Sequence, residues 1–210
     1  LKFKMKKILL LTFSFLNLCA FSQKDRTFNG ELLYTIERIS PKDSIPGKML
    51  IYAKDSLQRV VNFSSNLGKQ EMIKHLRLNK SFLLVTTTRG DYAIKTDHQQ
   101  SDSTVNYSYK RKLGKLSVGG IKAKRAELSI KGIDKKFDVF YYKKIDGKYG
   151  SAYQKLPGLP VQYIVATEEG IYQYTLESIK FFEPPFDLFL IPDTFQKVSI
   201  EEFIQKVSAP

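Results

Sequence analysis

The sequence predicts a mainly β protein: one large curved antiparallel sheet, a half-barrel, with a short C-terminal helix. Three features support this. Apolar and polar residues alternate with a period of two through most of the chain, turn pairs such as Asp55-Ser56 separate the alternating segments, and helical spacing is confined to the end. A sheet of about ten strands must close, curl or split into two layers. A half-barrel or a closed barrel meets this need with one concave apolar face.

Alternation defines the strands in the first half of the chain. Asp55-Ser56 has the length of a hairpin turn. Residues 69–78 fit a strand or a short helix, and a strand is favoured because a turn leads directly from them into clear β sequence. Arg89-Gly90-Asp91 fits a hairpin corner better than a cell-adhesion motif. The predicted strands here are 28–39, 48–54, 57–63, 69–78 and 81–87.

The second half continues in the same pattern and ends in a helix. Gly119-Gly120 is expected to mark a bulge or bend, and Pro184-Pro185 ends the last long strand because proline cannot donate to the ladder. Ser199 begins an S-x-x-E capping box that predicts a short helix, and residues 149–156 are a second helical candidate. The predicted strands here are 105–109, 113–118, 126–131, 137–142, 161–167 and 171–181.

Residues 1–22 have the features of a secretory signal peptide: a lysine-rich start, a short apolar run and small residues before Gln23. The run is short for a membrane span, which needs about 20 apolar residues. A retained anchor helix and lipidation at Cys19 remain alternatives, although Leu18 stands where a lipoprotein signal has a small residue. Residues 23–210 are therefore predicted to form one periplasmic or secreted domain without a transmembrane segment.

Charge and cysteine content narrow the classes of partner. The chain has 34 basic residues, four of them in the leader, against 21 acidic ones. A basic exported protein suits an anionic envelope surface, such as phospholipid head groups, rather than nucleic acid; the alternative is that the charge only maintains solubility. Cleavage before Gln23 removes Cys19, the one cysteine, so neither a disulfide nor a thiolate metal site is expected.

Three stretches carry a resemblance to a family. They are Gly120–Lys124 (GIKAK), Leu156–Tyr163 (LPGLPVQY) and Asp187–Ser199 (DLFLIPDTFQKVS). Together they resemble exported proteins of the Bacteroidota of the GLPGLI type, although Lys155 replaces the first glycine of that motif. These proteins look similar to the LolA-like lipoprotein carriers. The resemblance covers the C-terminal half and implies a half-barrel that binds a lipid or another apolar ligand, under a lid helix that has no clear counterpart in this sequence.

Catalytic signatures are missing from the sequence. It has two histidines, His75 and His98, and no G-x-S-x-G elbow or phosphate-binding glycine loop. Asp97-His98, with Asp91 and Asp102, lacks the fixed spacing of calcium loops, so a solvated turn is favoured over a cation site. His75 is expected to be a hydrogen-bonded sheet residue. We therefore predict neither an enzyme, nor a metal, nor a cofactor.

Aromatic side chains are the remaining functional lead. A tyrosine combines an apolar ring with a polar tip, which suits a groove for an amphipathic ligand, although ordinary core and cross-strand packing is the more common reason for such residues. The predicted function is an exported binding protein that holds a lipid on the concave face. The alternative is a structural or protein-interaction component of the envelope. The candidate ligand-binding residues are Tyr34, Tyr52, Phe140, Tyr142, Tyr163, Tyr172 and Tyr174.

Overall fold

A computed structural model describes residues 26–40, 46–64, 68–97 and 106–208, and the predicted signal peptide and the loop around His98 lie outside them. The described chain forms one curved, unclosed sheet of twelve strands in the order β12-β6-β5-β4-β3-β2-β1-β11-β10-β9-β8-β7. Sequence neighbours pair in hairpins, and β1 joins the two halves by pairing with both β2 and β11. The predicted half-barrel with a short C-terminal helix is confirmed.

The strands follow the predicted alternation closely, except that the strands Gly90–Asp97 and Gln196–Val198 were not predicted. They are β1 (Gly30–Ser40), β2 (Gly47–Lys54), β3 (Leu57–Ser64), β4 (Gly68–His75), β5 (Lys80–Thr87), β6 (Gly90–Asp97), β7 (Tyr107–Val118), β8 (Ile121–Ile130), β9 (Phe137–Tyr142), β10 (Leu159–Thr167), β11 (Gly170–Phe181) and β12 (Gln196–Val198). Residues Gly147–Tyr149 and Phe186–Phe189 form 3-10 turns, and α1 covers Ile200–Ser208.

Some details differ from the prediction. The segments predicted as 105–109 and 113–118 belong to one strand, β7, which is interrupted by a register shift between Arg111 and Lys115. The sheet is antiparallel except at its edge, where the three-residue β12 pairs in parallel with β6. The prediction of a helix within residues 149–156 was wrong, because that segment is irregular after the 3-10 turn Gly147–Tyr149.

The curl of the sheet is visible at the turn between β7 and β8. A Cβ atom on Gly119 would lie 2.7 Å from the Glu177 carbonyl oxygen of β11, although three strands separate β7 from β11 in the sheet. Gly119 also has φ of 53°, a conformation that glycine adopts at low cost. The predicted bulge or bend is thus a hairpin turn that touches β11. We call the face enclosed by this curl, which carries Leu176, the inner face.

Residues 143–158, here called the strap, connect β9 to β10 and cross the inner face. At one end the Tyr149 hydroxyl donates to the Asp55 carbonyl over 2.6 Å, and the Gln58 amide donates to the Tyr149 carbonyl over 2.8 Å. At the other end the Lys155 amide donates to the Tyr107 hydroxyl over 2.8 Å. The strap thus spans from β3 to β7 and takes the place that a lid helix was expected to occupy.

The Leu156–Tyr163 stretch joins the end of this strap to β10, and its apolar residues serve packing. Leu156 and Leu159 are buried in the main core. A Cβ atom on Gly158 would collide with the Tyr142 carbonyl oxygen, so only glycine lets the strap approach the end of β9. The motif that carries the family resemblance therefore holds the strap against the sheet.

The C-terminal chain covers the other half of the sheet on both faces. Residues 182–195 cross the outer face, where Ile191 and Phe195 pack against Ile73 and Leu84. The helix α1 then covers the inner face of β5 and β6 through Phe203, whose ring meets that of Tyr92 edge-on at 5.4 Å. The predicted capping box is present, since Ser199 Oγ accepts from the Glu202 amide over 3.2 Å.

Candidate ligand-binding site

The inner face holds a cavity of about 290 Å³ between the two halves of the sheet. Side chains from β2 to β5 form one wall, β10 and β11 form the facing wall, and strap residues 151–153 form an end. Apolar groups dominate this lining, which is the usual character of a ligand site. The apolar wall residues include Met49, Val60, Met72, Leu83, Val165 and Tyr174.

Polar groups in the cavity come from the β3–β5 side and from the strap. Lys74 lines the cavity at only 5% exposure, on the same parity of β4 as Met72. The Oδ1 atom of Asn62 is buried and has no hydrogen-bond partner within the described residues. A buried amide oxygen without a partner loses about 1–3 kcal/mol of solvation. Asn62 therefore places an unsatisfied amide oxygen in the cavity wall.

Four tyrosines form a ring cluster beside the cavity, and two of them, Tyr153 and Tyr174, also line it. Tyr163 and Tyr174 stack at 4.9 Å between ring centroids, and Tyr34 and Tyr153 meet Tyr163 edge-on at 6.1 and 5.9 Å. Three of the hydroxyls, those of Tyr34, Tyr153 and Tyr163, bond within the protein; that of Tyr34 donates to the Pro160 carbonyl over 2.9 Å. Burial raises the pKa values of Tyr34, Tyr163 and Tyr174. These rings are therefore neutral packing groups at physiological pH.

The structure brings some of the predicted aromatic residues together. Tyr34, Tyr163 and Tyr174 belong to the ring cluster, and Tyr174 lines the cavity itself. Tyr172 is two residues along β11, with the Arg38 guanidinium 5.9 Å above its ring and its hydroxyl 3.3 Å from Glu169. It lies on the same parity as Tyr174 without lining the cavity.

Three of the predicted residues lie elsewhere. Tyr52 alternates with the buried Ile51 and Ala53 of β2, so it points to the outer face, where Glu31 is a neighbour. Phe140 and Tyr142 alternate with buried residues of β9 and are half-buried outside the cavity. A strand pattern assigns parity but does not say which parity faces inward on each strand, and this is why the set divides.

The aliphatic and polar residues of the site were not predicted from the sequence. Met72, Leu83 and Val165 are ordinary strand residues, and only the curl of the sheet brings β4 and β5 opposite β10. Lys74 had a usable signal, because it follows Met72 on the apolar parity of a strand, where a lysine is unusual.

The described residues show little of the geometry that acid–base or metal chemistry needs. Within the ranges that the structure covers, His, Cys, Asp and Glu form no group of three that could hold a metal ion. The Nδ1 atom of His75 is 3.3 Å from the Leu78 amide, so this histidine closes a local turn. His98 and Asp102 lie outside the described residues. The absence of enzyme activity stays a prediction.

Comparisons with known proteins do not assign the chain to a group. No family model and no curated protein matches it. The resemblance to GLPGLI-type, LolA-like proteins thus stays a prediction that rests on the three quoted stretches, whereas the half-barrel architecture rests on the structure. Among the helices of the described chain, none has the length and apolarity needed to cross a membrane.

Proposed function

We propose that this protein is a binding protein, exported to the periplasm or secreted, that holds a lipid or another apolar ligand in the inner-face cavity. The cavity itself is the observation that carries the proposal. It is apolar, it lies where the two halves of an unclosed sheet face each other, and neither the strap nor α1 fills it. Export rests on the leader-like residues 1–22, which lie outside the described chain.

The size of the cavity limits the ligand. A volume of about 290 Å³ is at the lower end of the range for ligand pockets, roughly 300–1,000 Å³. It suits one acyl-chain segment or a compact apolar molecule better than a lipid with several chains. Asn62 and Lys74 are at the β3–β4 wall, so an amphipathic ligand would place its polar end there and its apolar end toward Val165 and Tyr174.

Lipid extraction tests the proposal directly. The full chain is purified under native conditions, extracted with organic solvent and analysed by mass spectrometry, and the stripped protein is titrated with a fluorescent fatty acid. We expect a co-purifying apolar compound and saturable uptake of the probe. Recovery of no such compound together with no uptake would overturn the proposal.

A matched pair of variants locates the binding. Leu83→Trp fills the cavity, because Leu83 lines it on β5, and should weaken probe binding by about tenfold or more. Ile39→Trp adds the same indole to an exposed position on β1 and should leave binding unchanged. Circular dichroism confirms that both variants fold. Equal binding by the two variants would place the probe outside the cavity.

An interaction role in the envelope is the second candidate, and one observation favours it. Phe182, Phe186 and Leu190 are 42%, 53% and 46% exposed, and they lie close together in sequence on the segment that crosses the outer face. Exposed apolar groups of this kind often mark protein contacts. Cross-linking in an envelope fraction tests this role: a partner lost with Phe182→Ser/Phe186→Ser and retained with Leu83→Trp would favour it over ligand binding.

A further inference from the structure

A second groove lies at the edge of the sheet, away from the inner-face cavity. Between Arg111 and Lys115 the pairing of β7 with β8 is interrupted, so that residues 112–114 of β7 stand opposite Arg125 alone. Gly114, with φ of 127°, permits this irregular backbone. The interruption opens a groove of about 290 Å³ and pushes Leu113 into solvent at 95% exposure.

Positive charge from three neighbouring segments converges on this groove. Arg111 comes from β7, Lys124 from β8 and Lys143 from the start of the strap, and Lys112, Lys115 and Arg125 also line it. Two of these six cations have acidic partners: Lys112 pairs with Glu127 at 3.2 Å and Arg125 with Asp138 at 2.8 Å. Among the described residues, Arg111, Lys115, Lys124 and Lys143 form no ion pair.

The electrostatics agree with an uncompensated cluster. The adjacent Lys124 ammonium, with smaller contributions from desolvation, Arg111 and Arg26, holds the pKa of Lys143 below its ordinary range. Arg26 is held nearby, because its guanidinium donates to the Pro157 carbonyl over 2.9 Å. The neighbouring Lys124 and Lys143 ammonium groups repel each other, and an anion bound between them would relieve this repulsion.

We propose that this groove is a binding site for the phosphate group of an anionic ligand, with Arg111, Lys124 and Lys143 as the donors. A phosphate monoester carries a charge of about −1.5 to −2 at pH 7 and three acceptor oxygens, and a lipid phosphodiester carries one negative charge on two free oxygens. In both cases several donors can bond one tetrahedral group, which suits a cluster with more than one unpaired cation. Arginine and lysine form short charge-assisted hydrogen bonds to phosphate oxygens. The site is on different strands from the cavity wall, so it stands independently of the proposed lipid site.

The phosphate can belong to a lipid headgroup or to a soluble ligand, and Leu113 distinguishes these sources. Its side chain is beside the groove and almost fully exposed. If the phosphate belongs to a membrane lipid, Leu113 would reach the apolar layer below the headgroups and add to binding. If the phosphate belongs to a soluble molecule, Leu113 stays in water and contributes nothing.

Two probes and two charge-matched double variants test the site. The full chain is titrated with inorganic pyrophosphate by calorimetry, and with vesicles of phosphatidylglycerol and phosphatidylcholine by co-sedimentation. Lys124→Gln/Lys143→Gln removes two groove charges, whereas Lys95→Gln/Lys197→Gln removes two exposed charges at the opposite edge of the sheet. We expect about a tenfold or greater loss of binding in the groove variant and less than about twofold in the control.

The outcomes distinguish a lipid phosphate from a soluble phosphate, and both from failure of the proposed site. Leu113→Ser that weakens vesicle binding while pyrophosphate binding is retained supports a lipid headgroup, and Leu113→Ser that changes neither, with the groove variant impaired, supports a soluble phosphate. Equal losses in the two double variants would show that only net charge matters and would overturn the site. Absence of binding to both probes would overturn it as well. Extraction of an apolar compound from the cavity is unaffected by either result.

Discussion

The two halves of the inner face are covered in different ways. Under the strap, Tyr34, Tyr149 and Tyr163 are fully buried; the Tyr34 ring packs edge-on against Tyr163, and the Tyr149 ring packs edge-on against Phe28. On the β4–β6 side, helix α1 covers β5 and β6, and two of the three buried polar residues of the described chain, Lys74 and Ser81, are found here, whereas the third, Gln58, donates to the strap. The contrast is therefore between an aromatic half that is closely packed and a half whose inner face carries buried polar groups beside the cavity.

The largest expected effect is at the strap. Leu156→Ala removes a buried side chain from the main core and should lower the free energy of unfolding by about 2–5 kcal/mol. Val207→Ala, on α1, removes a half-buried side chain and should cost about 1 kcal/mol. Urea denaturation of both variants measures the difference. Similar losses in both would mean that the two covers contribute equally.

Alkaline pH should also act on the strap half first. Tyr34 and Tyr163 have raised pKa values because burial disfavours the phenolate. The folded state therefore keeps protons that the unfolded chain loses near pH 10, so stability is complete below about pH 10 and falls as pH rises toward the folded pKa values. Each tyrosine contributes up to about 1.4 kcal/mol per pH unit in this range.

Phenylalanine variants test that slope. Tyr34→Phe should be less stable at pH 7 by about 1 kcal/mol, because the hydrogen bond to the Pro160 carbonyl is lost. Between pH 10 and about 11.5 it should lose stability less steeply than the parent protein, and Tyr34→Phe/Tyr163→Phe less steeply again. Parallel pH profiles for the three proteins would show that these hydroxyls do not resist ionisation.

Removing the N-terminal cap of α1 should give a smaller loss of stability. Ser199→Ala removes the side-chain acceptor of the capping box and should destabilise α1 by about 1 kcal/mol. Hydrogen exchange of the amides in 200–208 should rise, whereas exchange in the strap should not change. Faster exchange in both regions would show that the strap and α1 open together.

The smallest effect concerns Glu71 on β4. Burial opposes its ionisation, but hydrogen bonds from Lys69 and Arg59 outweigh burial and lower the pKa of this carboxyl. The stabilisation from the ionised Glu71 carboxylate is thus fully present when the pH is above the ordinary pKa of glutamate, and it is lost as the pH falls through the lowered pKa of the folded state. Glu71→Gln should be less stable than the parent at pH 7 by below about 1 kcal/mol, and the gap should close in acid. Thermal unfolding of both proteins between pH 7 and pH 3 measures this difference in stability.

Local signals in the sequence were sufficient for most of the elements. Alternation located all the strands except β6 and β12, and the S-x-x-E pattern at Ser199 located α1, because both signals depend on neighbours a few residues apart. The cavity depends on the curl of the sheet, which brings Met72 and Leu83 opposite Val165, a residue about 80 or more positions away in the sequence. The strap was missed for the same reason: its irregular backbone is held by long-range hydrogen bonds such as that from Tyr149 to Asp55.

Strand β7 is the last strand on its side of the described sheet, so one row of its backbone donors and acceptors has no neighbouring strand there. An unpaired edge strand of this kind can pair with a second chain and begin a fibril. Strand β7 is irregular between Arg111 and Lys115, and the lysines around this interruption would repel the same edge of a second copy. Replacing these lysines by neutral residues would therefore weaken a barrier to aggregation, and light scattering of Lys124→Gln/Lys143→Gln on storage would reveal it.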